Sequence, residues 1–284
     1  MTTKNALKTV FLLGLLSAIL LVGGQALGGR QGLYIALFLA VIMNFASYFY
    51  SDKIALSMYH AQPVSETENP QVYRIIGPMT QRLCQRIGIP MPKLWVIPDD
   101  SPNAFATGRN PKHASVAVTA GLLQLMNESE LEGVIAHELA HVTNRDILTQ
   151  SIAATMGSAI TSLTYIMYFM GGARGDDEDS GGGILGAMMM MILGPLAATM
   201  IQMAISRTRE YAADASAAKY TGTPYGLMNA LQKLESYSKR IPMNANPATA
   251  HMFIIKPFGG GGMMKLFSTH PSTEERIARL AAMR

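Results

Sequence analysis

Residues 10–29 and 32–51 contain no Asp, Glu, Lys or Arg, and two such blocks in tandem constrain the fold more than any other feature. A helix rising about 1.5 Å per residue needs about 20 residues to cross a hydrocarbon core of about 30 Å. Only Arg30 and Gln31 separate the blocks, so they are expected to form a tight helical hairpin in a bilayer. Lys4 and Lys8 before the first block resemble the start of a signal peptide. The second block follows at once, and cleavage would leave it at a new end, so both are expected to be retained. Two further uncharged blocks, 151–170 and 183–205, read as a second membrane pair, the alternative being a buried helix pair in the soluble domain. Small and hydroxyl residues in the third, and Gly194-Pro195 in the fourth, suit helix contacts inside a membrane. Their connector, GGARGDDEDSGGG, reads as an exposed loop.

Charge distribution gives the orientation. Lys4 and Lys8 precede the first block, eight basic residues lie in 53–145, and eleven follow residue 205. The two short connectors carry one each, Arg30 and Arg174. Basic segments stay on the cytoplasmic side, so four spans place both long polar segments in the cytoplasm. At 15% charged residues, against about 25% in soluble domains, the chain falls in the membrane class, and disorder is excluded as its main state. A net charge of +4 fits that orientation bias and gives no reason to expect a nucleic-acid partner. Cys84 is the single cysteine and forbids an intrachain disulfide; within the helix-like run 72–87 it reads as a packed apolar residue.

The chemistry sits in NESELEGVIAHELAHVTNRD, residues 127–146. Leu131, Val134, Ile135, Leu139 and Val142 recur at helical spacing, with Asn127 or Ser129 available as cap. On that helix His137 and His141 share one face. Glu138 is rotated about 100° from His137, beside a metal held by the two histidines but not ligating it. This HExxH arrangement supplies two imidazole ligands and a carboxylate for a water. Flanking charges (Glu128, Glu130, Glu132, Arg145, Asp146) keep the helix out of lipid. A catalytic zinc takes three protein ligands and leaves a position open. RTREYAADASAAKY, 207–220, offers Glu210 as the third ligand, with Asp214 one turn on to accept the other ring N–H of a histidine. His60, His113 and His251 lack metal-ligand spacing.

NAFATG (103–108), HELAH (137–141), SRTREYAAD (206–214) and STHPSTEERI (268–277), with the two N-terminal spans, together resemble the HtpX family of bacterial membrane metalloproteases. That family is related to the CAAX prenyl endopeptidases and the Oma-type proteases. The resemblance implies a gluzincin-type zinc endopeptidase in the cytoplasmic membrane. It implies a cytosol-facing site, one zinc on His137, His141 and Glu210, and Glu138 as catalytic carboxylate. It also implies a role in quality control of misfolded or damaged membrane proteins. The oxyanion needs a partner besides zinc. His270 is the candidate, with Arg276 as support, since related endopeptidases carry a His and an Arg at matching positions. An alternative for His270 is a contact at the start of the helix expected over 272–283.

An extended substrate strand requires a sheet edge; Ala114–Thr119 is expected to supply it, with Asn103 and Phe105 nearby as substrate-binding residues. The expected fold is therefore a mainly α membrane protein, with helical transmembrane anchors and a gluzincin-like catalytic domain containing a small β-sheet. Its segments are a hairpin (1–51), a first catalytic part (52–150), a second hydrophobic pair (151–205) and a second catalytic part (206–284). Expected partners are unfolded or membrane-protein substrates and the lipid bilayer; the sequence leaves oligomeric state open. An intramembrane protease would place HExxH within a span, and a transporter would carry ionisable residues in its spans. A zinc-stabilised scaffold or holdase is the non-enzymatic alternative, and it would have no need of Glu138.

Overall fold

The computed structural model describes residues 3–156, 207–240, 254 and 271–283. A helical stretch over Thr3–Met58 breaks at Gly29, whose φ of 55° and ψ of −140° lie where only glycine is at ease. The break yields the expected hairpin of α1 (Asn5–Gln25) and α2 (Gly29–Met58). Gly24 and Gly32 let the backbones approach so closely that a methyl group on either would meet the other. Further along, Asn44 Nδ2 donates to Ser17 Oγ across the pair at 2.8 Å. Large apolar side chains such as Val10, Val22, Tyr34 and Phe38 face outward, the arrangement a lipid-facing surface requires. The second helix runs seven residues beyond the uncharged block, to Met58, and so carries the chain into the polar part. Of the third block only 151–156 falls within the described residues; the fourth block lies outside them, as does the 174–179 loop.

The polar part packs helices around a four-stranded sheet. Its strands are β1 (Gln62–Val64), β2 (Lys93–Ile97), β3 (Ala104–Gly108) and β4 (Ala114–Thr119), in the order β1-β2-β4-β3. β2 and β4 are parallel, and β1 and β3 flank them antiparallel. The expectation that Ala114–Thr119 forms the edge is therefore corrected: β4 pairs on both sides, and β3 is terminal. The reason lies in the pairing: β4 takes β2 as a parallel partner on one side and β3 as an antiparallel partner on the other, while β3 and β4 are both wholly buried and so carry no alternation that would separate terminal from interior strand.

The helices are α3 (Pro70–Ile87), α4 (Ala120–Leu125), α5 (Glu128–Asn144), α6 (Ile147–Met156), α7 (Arg207–Thr221), α8 (Tyr225–Arg240) and α9 (Thr273–Ala281). α5 is the axis of the domain. Asn127 accepts from the Glu130 N–H at 3.0 Å while the Glu130 carboxylate accepts from the Asn127 N–H at 2.9 Å, a capping box that satisfies two end groups. Lys233 of α8 adds a 2.7 Å ion pair to Glu130. Leu131, Val134, Ile135, Leu139 and Val142 are all buried in the main core, each stabilising the fold by about 1.5–3 kcal/mol. At Gly133 a side chain would stand 2.5 Å from the Leu227 nitrogen, so glycine allows α8 to cross closely. Cys84 is buried in this core, and burial pushes its thiol up to about 11.

Candidate metal centre

His137 and His141 leave α5 one turn apart, and Glu210 reaches them from the first turn of α7. Nε2 of His137 and Nε2 of His141 are 3.3 Å apart. Glu210 oxygens lie 3.7 Å from the first and 3.6 Å from the second. All three residues are buried. Each outer nitrogen faces a carboxylate: Asp214 Oδ1 stands 3.0 Å from Nδ1 of His137, close but off the line of a hydrogen bond, and Asp146 Oδ2 stands 3.5 Å from Nδ1 of His141. With the ring protons assigned to Nδ1, both Nε2 atoms present lone pairs, and so does the Glu210 carboxylate. Three acceptors converging within 4.8 Å repel one another unless a cation lies between them. Two imidazoles and one carboxylate are a ligand set for zinc that leaves a fourth position for substrate or water.

Each aspartate is itself held. Arg276 of α9 grips Asp214 with both prongs, Nε to Oδ2 at 2.8 Å and NH2 to Oδ1 at 2.7 Å. Its remaining nitrogen donates to the Ile254 carbonyl at 2.7 Å and lies 3.9 Å from Glu210. Asp146 accepts at Oδ1 from Arg209 of α7 and from Asn5 of α1, both at 3.0 Å. Such partners fix the tautomer and aim the ring.

Electrostatics follow from burial among these charges. Burial is the largest influence on His137 and lowers it, with Arg276 and His141 adding to the effect and Asp214 opposing it. Burial also pushes His141 down, but Asp146, Glu210 and Glu138 outweigh it and hold the imidazole at about 9. The field that retains a proton on that ring equally draws a cation, so proton and metal compete for one lone pair. Asp214 is held at about 2; burial alone would raise it, and Arg276 and His137 reverse the sign. Burial pushes Glu138 up to about 7, with Glu210 in the same direction and His141 and the Ala106 N–H against it. A group near 7 both accepts and returns a proton at neutral pH.

Of the residues singled out from sequence, His137, Glu138, His141, Glu210, Asp214 and Arg276 converge here. Arg276 is 1% exposed and lies behind His137, gripping Asp214. Asn103 and Phe105 are buried. The Asn103 amide oxygen accepts from Ile254 N–H at 3.2 Å, which links it to the Arg276 side; Phe105 stacks at 5.5 Å from Tyr59. His270 lies outside the described residues. Ser272, two residues on, caps α9 through the Glu275 N–H. Sequence reasoning missed Asp146, Arg209, Asn5 and the Ala106 N–H as parts of the site. Asp146 follows Arg145, a left-handed cap with φ of 59°, so helical spacing carries no sign of it.

A helix-borne HExxH completed by a glutamate from a later helix, each histidine backed by an aspartate, defines a zinc metallopeptidase centre. The model of peptidase family M48 matches residues 67–284. A protease HtpX homolog of Desulfatibacillum aliphaticivorans is 56% identical over 283 residues, 99% of this chain and 90% of that one. One from Thermodesulfovibrio yellowstonii is 54% identical and covers 98% of each chain. The crystal structure of S. mikatae Ste24p superposes with a TM-score of 0.50 at 21% identity, over 97% of this chain. The chain spans 64% of the length of Ste24p, and that likeness concerns the fold. The chain belongs to peptidase family M48, in its HtpX group, related to the CAAX and Oma-type proteases. It is a zinc metalloendopeptidase with a site for one zinc ion.

Proposed function

We propose that the enzyme cuts misfolded or damaged membrane proteins at the cytosolic face of the bacterial cytoplasmic membrane, as a multi-pass protein. Two membrane-length helices and the basic content of the segments between the hydrophobic blocks support this placement. Zinc, when bound, supplies Lewis-acid polarisation of the scissile carbonyl and acidifies water. Glu138 is the catalytic carboxylate: it takes a proton from the attacking water and returns it to the leaving amine. Glu138 is buried on the same helix as the two histidines, and the convergence of His137, His141 and Glu210 beside it is the observation that carries the reading.

The substrate lies extended along β3, adding a strand to the sheet. Backbone alternation supports this, because Asn103 pairs toward β4 through Thr119, which turns Ala104 and Ala106 to the outer side. Among the described residues no strand covers that side. Asn103 and Phe105 serve substrate binding by setting the strand from behind. His270 stabilises the oxyanion. Arg276 is a positioning residue that acts through Asp214 and His137, and its proximity to Glu210 supports a place for the start of α9 near the reaction. Glu138→Gln is expected to retain one zinc and lose hydrolysis of an unfolded test protein by several orders of magnitude. Undiminished cleavage by that variant would remove Glu138 from the chemistry, and undiminished zinc with no cleavage separates the enzyme from a zinc-stabilised scaffold.

A further inference from the structure

Asn5 is 6% exposed, although it opens a helix otherwise suited to lipid. Its amide nitrogen is directed at the turn that ends α5. Nδ2 lies 3.0 Å from Asp146 Oδ1, 3.2 Å from the Arg145 carbonyl and 3.5 Å from the Asn144 carbonyl. One turn further, Thr9 Oγ1 meets Thr149 Oγ1 at 3.4 Å. Leu12 and Leu16 then pack with Leu148, Ile152 and Met156. The first membrane helix is thus docked along α6 from its opening turn.

Asp146 is the junction. Two donors, Asn5 and Arg209, saturate Oδ1 at 3.0 Å each and leave Oδ2 for His141 at 3.5 Å. That last contact is at the long end for a hydrogen bond, so a small rotation of the carboxylate makes or breaks it. Asp146 is 2% exposed, which leaves little room for water to stand in for a lost donor. Arg209 approaches from the same helix as the third metal ligand, whereas Asn5 approaches from the anchor.

We propose that Asn5 is a positioning residue of the metal centre: through Asp146 it aims the His141 imidazole, so the first turn of the anchor is a working part of the zinc site. The inference rests on the zinc-peptidase reading. Its test uses the full-length protein in detergent, with Asn5→Leu, the milder Asn5→Ser, and Thr9→Val. The last loses a polar contact in the same interface without touching Asp146. Zinc dissociation into a chromogenic chelator and the visible spectrum of the cobalt-substituted protein are read alongside kcat and KM. Both Asn5 variants are expected to release zinc about tenfold faster, with an altered cobalt spectrum and a fall in kcat at little-changed KM, while Thr9→Val matches wild type. Wild-type zinc release and cobalt spectrum in a folded Asn5 variant would overturn the proposal, as would equal damage from Thr9→Val. Failure of the wild type itself to bind zinc would instead overturn the zinc reading.

Discussion

The two histidines of the centre are built alike and supported differently. His137 is backed by Asp214 at 3.0 Å, and Asp214 by both prongs of Arg276, all of them within the catalytic domain. His141 is backed by Asp146 at a longer 3.5 Å, and Asp146 by one prong of Arg209 and by Asn5 of the membrane helix. One arm is closed within the domain; the other is shared between the domain and its anchor. The difference is that one ligand takes its support from the domain alone, while the other takes part of its support from the first apolar helix.

The largest expected difference between the arms is in stability. Arg276→Met strands the Asp214 carboxylate in a buried site, and losing one partner of a buried pair costs about 3–5 kcal/mol. Arg209 has a side chain 15% exposed, and its loss leaves Asn5 on Asp146, so Arg209→Met is expected to cost about 1–2 kcal/mol. Thermal midpoints in detergent compare the two, and equal losses would break the asymmetry.

Zinc affinity ranks next. Asp214→Asn is expected to weaken binding toward the upper end of the 10–100-fold range known for such partners, and Asp146→Asn toward the lower end. Chelator competition measures both, and a reversed order would place the tighter support on His141.

The closed arm also has an acid signature. Asp214 is lowered from 3.8 to about 2, so its share of stability is present above about pH 4 and disappears as pH falls toward 2. Zinc, which needs neutral imidazoles, is expected to leave first. On acid titration, metal release should precede the loss of tertiary signal, and coincident transitions would show that Asp214–Arg276 does not outlast the metal. The smallest effect is a control: Ser17→Ala removes the interhelical bond to Asn44, worth about 0.6 kcal/mol, and should leave zinc release from both arms unchanged.

Helical spacing made both histidines and the Glu210–Asp214 pair legible, the family resemblance pointed to Arg276, and the support behind His141 stayed hidden, for a physical reason. HExxH and the Glu210–Asp214 pair repeat at four residues within single helices, and helical spacing turns such pairs into shared faces. Asp146 lies past a left-handed cap, and Asn5 meets it across 141 residues; no periodicity encodes a contact of that kind. In the same way the hairpin and the active helix were readable from apolar blocks and capping residues. The order of the strands was not, because β3 and β4 are both wholly buried and pattern alone does not say which lies outside. Glu138 was readable from the motif, but its tie to the Ala106 N–H depends on how α5 lies over the sheet.

The most direct test of the account is the zinc content of full-length protein purified without chelator, measured together with peptide hydrolysis for wild type, His141→Ala and Glu210→Ala. One zinc per chain in the wild type, with metal and hydrolysis lost together in both variants, is the predicted result. A metal-free wild type that still cleaves, or a Glu210→Ala protein with full zinc and full activity, would contradict it.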